Sequence, residues 1–216
     1  GQRCSALRVL FVQNEIAARV IRLLAAAMQE IQIGDPLLLA SDVGPLIDQD
    51  AARSLQPHVA RLQREARLLQ RVDPPQNLQA GCFFPLQAFE LESLALLEKE
   101  VFGPVLHVVR YRADKLEQVI DAVNNTGYGL TLGVHSRIEE TWLRVQARAR
   151  VGNLYINRNM IGAVVGAQPF GGEGLSGTGP KAGGPYYLHR FATERTLSVN
   201  TAAVGGNTGL LSLPED

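Results

Sequence analysis

Cys4 stands among Gln2, Arg3 and Ser5, ahead of the first apolar run of the chain. A thiol in a polar setting serves as a nucleophile when a nearby cation favours its thiolate, and Arg3 supplies such a charge. A lone cysteine also serves as a small buried hydrophobe. That is the expectation for Cys82, which precedes Phe83-Phe84 in an apolar segment. For Cys4 both readings stay open on these residues alone. A cysteine/histidine pair would need a base, and none of the four histidines has a spacing that marks it as one. His58 falls in a helical pattern with charged neighbours, His107 and His135 fall within strand-like runs, and His189 follows Tyr186-Tyr187. Each reads as an ordinary core or surface histidine. No His, Cys or Asp cluster has the spacing of a zinc or calcium site, so no metal is expected. Gly172-Glu173-Gly174-Leu175-Ser176-Gly177 fits G-x-G-x-x-G, but a dinucleotide turn needs a strand before it and a helix after it. Gln168-Pro169-Phe170-Gly171 and Thr178-Gly179-Pro180-Lys181 provide neither, and that reading is set aside.

The elements that must position these groups follow from periodicity. Leu7 to Val12 reads as a strand. Asn14 is placed to cap the following helix, in which Ile16, Val20, Leu23, Leu24, Ala27, Met28 and Ile31 have the spacing of one buried face. Gly34 and Pro36 end it. Asp48 to Leu69 reads as a second helix with Leu55, Val59, Leu62 and Ala66 inward, and with Arg61, Arg64 and Arg67 on a solvated face. Asp73 to Asn77 is a turn-rich linker. Gly81 to Phe89, Val105 to Tyr111, Leu130 to His135 and Gly152 to Asn157 read as strands. Between them lie a short helical turn over Glu92 to Lys99 and helices over Leu116 to Asn124 and Glu139 to Ala149. Strands alternating with helices predict an α/β fold with a largely parallel sheet and flanking helices. Gly162 to Pro185 holds nine glycines and three prolines, the composition of a long structured loop, and such loops are usually functional. Arg195 to Asn200 alternates as a strand, and Ala202 to Asp216 reads as an arm or tail.

Composition narrows the classes. The 216 residues are 46% hydrophobic and 19% charged, with 21 Lys+Arg balanced by 21 Asp+Glu. This is globular composition, and no basic surplus supports a nucleic-acid or acidic-membrane partner. No apolar run is long enough to span a bilayer. Two cysteines make no disulfide framework and point to a reducing compartment, hence the cytoplasm. A chain opening on Gly1-Gln2-Arg3, with neither an initiator Met nor a signal segment, reads as part of something larger.

Taken in order, four segments resemble signatures of the aldehyde dehydrogenase superfamily. Gly1-Gln2-Arg3-Cys4 is similar to its nucleophile motif and Glu100-Val101-Phe102-Gly103-Pro104 to its cofactor-ribose motif. Asn125 to Leu130 and Pro169-Phe170-Gly171-Gly172 match two more. Within that superfamily, Ser5, the run Gly162 to Gly166 and the stretch Ser176 to Pro185 resemble glutamate-semialdehyde (pyrroline-5-carboxylate) dehydrogenases. Leu197 to Thr201 followed by Gly205-Gly206-Asn207 resembles the ending of the bifunctional proline utilization A type, where a flavin-dependent proline dehydrogenase precedes this part.

The resemblance implies an NAD-dependent oxidation of L-glutamate γ-semialdehyde to glutamate. Cys4 would add to the aldehyde to give a thiohemiacetal and then a thioester. Glu100 would accept from the nicotinamide ribose hydroxyls, and Phe102 would pack beside them. The N–H groups of Gly162 and Ala163 with the Ser5 hydroxyl would bind the substrate carboxylate. Arg3 would add charge, and Phe170 would cover the methylenes. The family's catalytic glutamate, oxyanion asparagine, dinucleotide domain and any FAD fall upstream of the nucleophile, outside these residues. Residues 1–190 would then be the nucleophile-bearing catalytic domain, inactive alone. Residues 191–216 would be a strand and tail that join a homo-oligomer. A cysteine hydrolase or acyltransferase, which requires a Cys/His contact, and a non-catalytic oligomerisation module are the alternatives from other classes.

Overall fold

The structure is a computed structural model and describes residues 1–78, 81–200 and 203. Its larger sheet has four strands: β1 (Val9–Gln13), β2 (Arg67–Val72), β3 (Leu86–Leu91) and β4 (Val105–Tyr111), in the order β1-β4-β3-β2. Both neighbours of β4 run parallel to it, and β2 is antiparallel to β3. Helices α1 (Asn14–Gln29) and α2 (Gln49–Glu65) take opposite faces. The period of two in the strands dictates this division. Val9, Phe11, Phe89, Leu91, Val105 and Val109 pack with Leu55, Val59 and Leu62 of α2. Leu10, Val12, Leu106 and Val108 pack with Ala17, Val20, Ile21 and Leu24 of α1. The fold is α/β, as the alternation of elements predicts.

The second half holds α3 (Leu116–Asn125), β5 (Tyr128–Gly129), β6 (Thr131–Val134), α4 (Glu139–Arg148), β7 (Asn153–Ile156) and β8 (Glu173–Gly174). Strands β6 and β7 pair in parallel, and β5 and β8 pair antiparallel. The glycine-rich segment therefore enters a two-residue ladder rather than a helix. Helices α3 and α4 are tied by Arg144 to Glu117 and by Arg148 to Glu117 and Asp121.

Several expectations need correction. The second helix stops at Glu65, because Ala66 turns extended and Arg67–Val72 pairs with β3. Leucine and arginine keep the helical pattern running there without a glycine or proline to break it, and strand pairing overrides that preference. Arg67 is thus a strand residue bound to Glu90. Strand β3 begins at Leu86 rather than Gly81, because Pro85 has no N–H to give a ladder. Asn14 is already helical: Gln13 is the N-cap residue and contributes no side-chain bond. Asp48 does cap α2, accepting from Ala51 N–H at 2.7 Å. On α1 the buried line is Ala17, Val20, Ile21, Leu24 and Met28, whereas Ile16 and Leu23 are exposed. Apolar residues surround most of that helix, so only packing selects the buried stripe. Residues 195–199 form no strand within the described chain, and Leu197 and Val199 are exposed. A strand exists only by pairing, and no described strand lies against them. Residues 204–216, with most of the expected tail, lie outside the described residues.

Leu62 has no exposed surface in the α2 core. Leu62→Ala should cost about 2–5 kcal/mol of stability in denaturant unfolding, since the rigid sheet beneath it leaves a cavity.

Candidate active site

Parallel pairing of β1 with β4 aligns Val9 with His107. The segments entering the two strands, Gly1–Arg8 and Glu100–Pro104, are therefore carried side by side. They meet through backbone: Gly103 N–H donates to Gly1 C=O at 3.2 Å. A Cβ on Gly1 would collide with the Gly103 carbonyl, and one on Gly103 (φ +151°) with the Leu55 side chain. The bare Gly1 allows the approach, whereas Gly103 is glycine because of its φ and the Leu55 side chain beneath it.

The turn holding Cys4 is braced from several sides. Ala6 N–H donates to Arg3 C=O at 3.1 Å. The Gln2 side chain donates to Pro45 C=O and accepts from Ile47 N–H at 2.9 Å. Cys4 and Arg3 are exposed, whereas Ser5 is buried. Ser5 Oγ accepts from Gly162 N–H at 2.9 Å across 157 positions of sequence. The loop carrying Gly162 is fixed in turn. Asn157, in a left-handed conformation that asparagine tolerates, exchanges two hydrogen bonds with Ser136. Buried Tyr155 donates its hydroxyl to Gly162 C=O at 2.6 Å. Gly162 has φ +68° and open space around it, so its backbone conformation, not crowding, calls for glycine. Ala163 follows, half-buried.

Phe170 is fixed by a bridge within the glycine-rich segment. Its N–H and C=O both bond Ala182 at 3.0 Å. Asn153 of β7 holds the residues on either side of it, donating to Pro169 C=O and accepting from Gly171 N–H. Gly127 C=O accepts from Leu175 N–H and Gly129 N–H donates to Ser176 Oγ, which links the Asn125–Leu130 segment to the glycine-rich loop.

Glu100 and Phe102 face a residue that the motif reading passed over. Arg8 donates to Glu100 Oε1 at 3.3 Å, and its guanidinium lies 4.2 Å from the Phe102 ring centroid. The second Glu100 oxygen has no protein donor among the described residues. Phe102 is 45% exposed. An accessible carboxylate oxygen beside an open aromatic face fits a cofactor ribose. Arg8, Asn153 and Tyr155 carried no motif signal, and Gln2 stood inside the Gly1–Cys4 motif with no role assigned to it. Of the first three, only Arg8 left a trace, as a charge inside the alternating run Leu7 to Val12.

The histidines serve one another. His107 is buried, and its Nδ1 donates to Arg8 C=O at 2.8 Å, so its Nε2 must accept. His58 Nε2 lies 2.9 Å from that atom and is its donor. Among the described residues no histidine is hydrogen-bonded to Cys4, and the Cys/His contact that a hydrolase requires is absent from them. Cys4 and Cys82 are both free thiols. Among the described residues there is no metal-sized cluster of His, Cys, Asp and Glu, and no helix is long and apolar enough to cross a membrane.

Fold and site together define a class. The aldehyde dehydrogenase family matches residues 1–197, and the chain belongs to it. The chain is 53% identical over 200 residues to the bifunctional protein PutA of Salmonella typhimurium, covering 90% of this chain and 15% of that protein. It is 34% identical to the 1-pyrroline-5-carboxylate dehydrogenase of a Geobacillus species, covering 92% of this chain and 38% of that protein. Among solved structures, proline utilization A of Bradyrhizobium japonicum superposes with a TM-score of 0.86 at 58% identity, over 94% of this chain and 21% of that one. A Thermus 1-pyrroline-5-carboxylate dehydrogenase with bound NAD gives a TM-score of 0.77 at 32% identity, over 88% of this chain and 36% of that one.

Burial, the His107 ring and the charges of Arg61 and Lys99 push His58 down from 6.5 to about 4. Burial also lowers His107. The unfolded chain therefore binds protons that the folded pair refuses. Stability should be complete above pH 6.5 and should fall as pH drops from 6.5 towards 4. His58→Gln should flatten part of that slope in melting temperature against pH.

Proposed function

We propose that this chain is the nucleophile-bearing part of an NAD-dependent dehydrogenase that oxidises L-glutamate γ-semialdehyde to L-glutamate in proline catabolism. The hydrogen bond from Gly162 N–H to Ser5 Oγ supports this reading best, because it brings the glycine-rich loop against the turn that carries an exposed thiol. Relatives named for 1-pyrroline-5-carboxylate, at 32–34% identity, support the substrate class.

The Cys4 thiolate adds to the aldehyde carbon, forming the C–S bond while the carbonyl electron pair moves to oxygen. The Cys4 N–H can donate to that oxyanion. A free aldehyde is a poor hydride donor, and this adduct is a good one. Glu100 would hold the ribose of NAD+ and Phe102 would flank it, and the cofactor would supply the hydride acceptor. Water then releases glutamate from the Cys4 thioester. The base for that step, and the asparagine that would complete the oxyanion site, belong to the family's upstream part, so residues 1–216 alone should have little activity.

Substrate choice rests on the α-carboxylate. Ser5 Oγ accepts from Gly162 N–H, which leaves its own proton to donate. Ser5 O–H and Ala163 N–H are the donors, the Gly162 N–H is shared, and Arg3 adds positive charge. Phe170 covers the methylenes. In the complete enzyme Cys4→Ala should abolish oxidation, and Cys82→Ala should leave it intact. Ser5→Ala should cost about 1.5–3 kcal/mol in kcat/KM for glutamate semialdehyde, one charge-assisted hydrogen bond. The loss should be much smaller for an unsubstituted aldehyde of equal length. Equal losses would mean that Ser5 only supports the Cys4 turn.

The exposed Leu197 and Val199 favour an assembly role for residues 191–216, with residues 1–190 as the catalytic portion. An alternating segment with exposed apolar side chains can find its ladder on another subunit. Removing residues 197–216 from the complete enzyme should lower its mass in light scattering, and an unchanged mass would rule this out.

A further inference from the structure

Arg8 makes more connections than any other side chain near Cys4. One guanidinium nitrogen donates to Gly1 C=O at 2.6 Å, and the other donates to Arg3 C=O at 2.8 Å and to Glu100 Oε1 at 3.3 Å. The guanidinium carbon lies over the Phe102 ring, 4.2 Å from its centroid. One side chain thus grips the residue before Cys4, the start of the motif, the ribose carboxylate and the aromatic beside it. Its backbone is equally fixed: Arg8 C=O accepts from both the N–H and the Nδ1–H of buried His107. His107 is backed by His58 on α2, so the grip is anchored in the core rather than on a loop.

The arrangement is costly, which argues against an incidental contact. The Arg8 side chain is only 16% exposed. Its Nε–H is buried without an acceptor among the described residues, which leaves the desolvation of that donor uncompensated. Burial lowers the guanidinium's pKa, and the charges of Glu100 and the Cys4 sulfur act to raise it again. Arg8 thus holds Glu100 by direct contact. Lysine could not replace it: a point charge has neither the fork for three acceptors nor a planar group to lay over the Phe102 ring.

We propose that Arg8 is the positioning residue that couples the Cys4 turn to the cofactor-ribose carboxylate. It holds the nucleophile and Glu100 at a fixed separation, so that disturbing one is felt at the other. The inference rests on the reading of Glu100 as the ribose acceptor.

The test uses the full-length enzyme with Arg8→Lys, Arg8→Gln, Glu100→Gln and the Arg8→Gln/Glu100→Gln double variant. Two quantities are measured: the rate of Cys4 alkylation by iodoacetamide without cofactor, followed by peptide mapping, and the NAD+ dissociation constant by calorimetry. Arg8→Gln should slow alkylation several-fold and weaken NAD+ roughly tenfold, the worth of one charge-assisted hydrogen bond. Arg8→Lys should also lose most of the NAD+ effect, because the fork is gone. The double variant should bind NAD+ no worse than Glu100→Gln alone, since both substitutions remove the same carboxylate geometry. Additive losses in the double variant would overturn the coupling. So would wild-type alkylation and NAD+ affinity in Arg8→Lys, the variant that decides if Arg8→Gln does not fold. Wild-type NAD+ affinity in Glu100→Gln would instead overturn the reading of Glu100, whatever the Arg8 variants do.

Discussion

The parallel register between β1 and β4 is the constraint on which the site depends. Cys4 and Glu100 are remote in sequence, yet each lies a few residues ahead of a strand, and the strands are adjacent and point the same way. Once Val9 lies against His107, the two entering segments have to run together. The contact of Gly1 with Gly103 takes advantage of that closeness. Gly1 has no side chain to hold the two backbones apart.

The helices stabilise this register rather than contribute to the chemistry. Helix α2 packs Leu55, Val59 and Leu62 against β3 and β4, and through His58 it reaches the histidine that holds Arg8 C=O. A path of direct contacts thus runs from the core to the Cys4 turn through α2, His107 and Arg8. A continuous set of rigid contacts is what keeps a reacting group within the narrow tolerance that catalysis requires.

The second half of the chain adds a wall to the site by a different route. Its loop between β7 and β8 contains many glycines, but the polar side chains of the adjoining strand give it shape. Asn153 and Tyr155 alternate with the other face of β7 and fix the Pro169–Gly171 backbone and the Gly162 carbonyl respectively. A loop without side chains to pack would pay a large entropy cost for order. Hydrogen bonds from a strand offset that cost, and Ser5 completes the connection back to the Cys4 turn.

Sequence alone determined the α/β class, the limits of β4, α3 and α4 to within a residue, the buried line of α2, and the short motifs that contain Cys4, Ser5, Glu100, Phe102 and Gly162. These are local matters: periodicity, capping and glycine-dependent turns act over a few residues. What it missed was non-local. Strand β2 was hidden in a helical pattern, and pairing with β3 decided it. Helix α1 offered two apolar stripes, and the sheet chose one. Arg8, Tyr155 and His107 carry no motif because their importance lies in partners far along the chain. A hydrogen bond across such separations exists only after the strands have docked, so only the tertiary structure could reveal it.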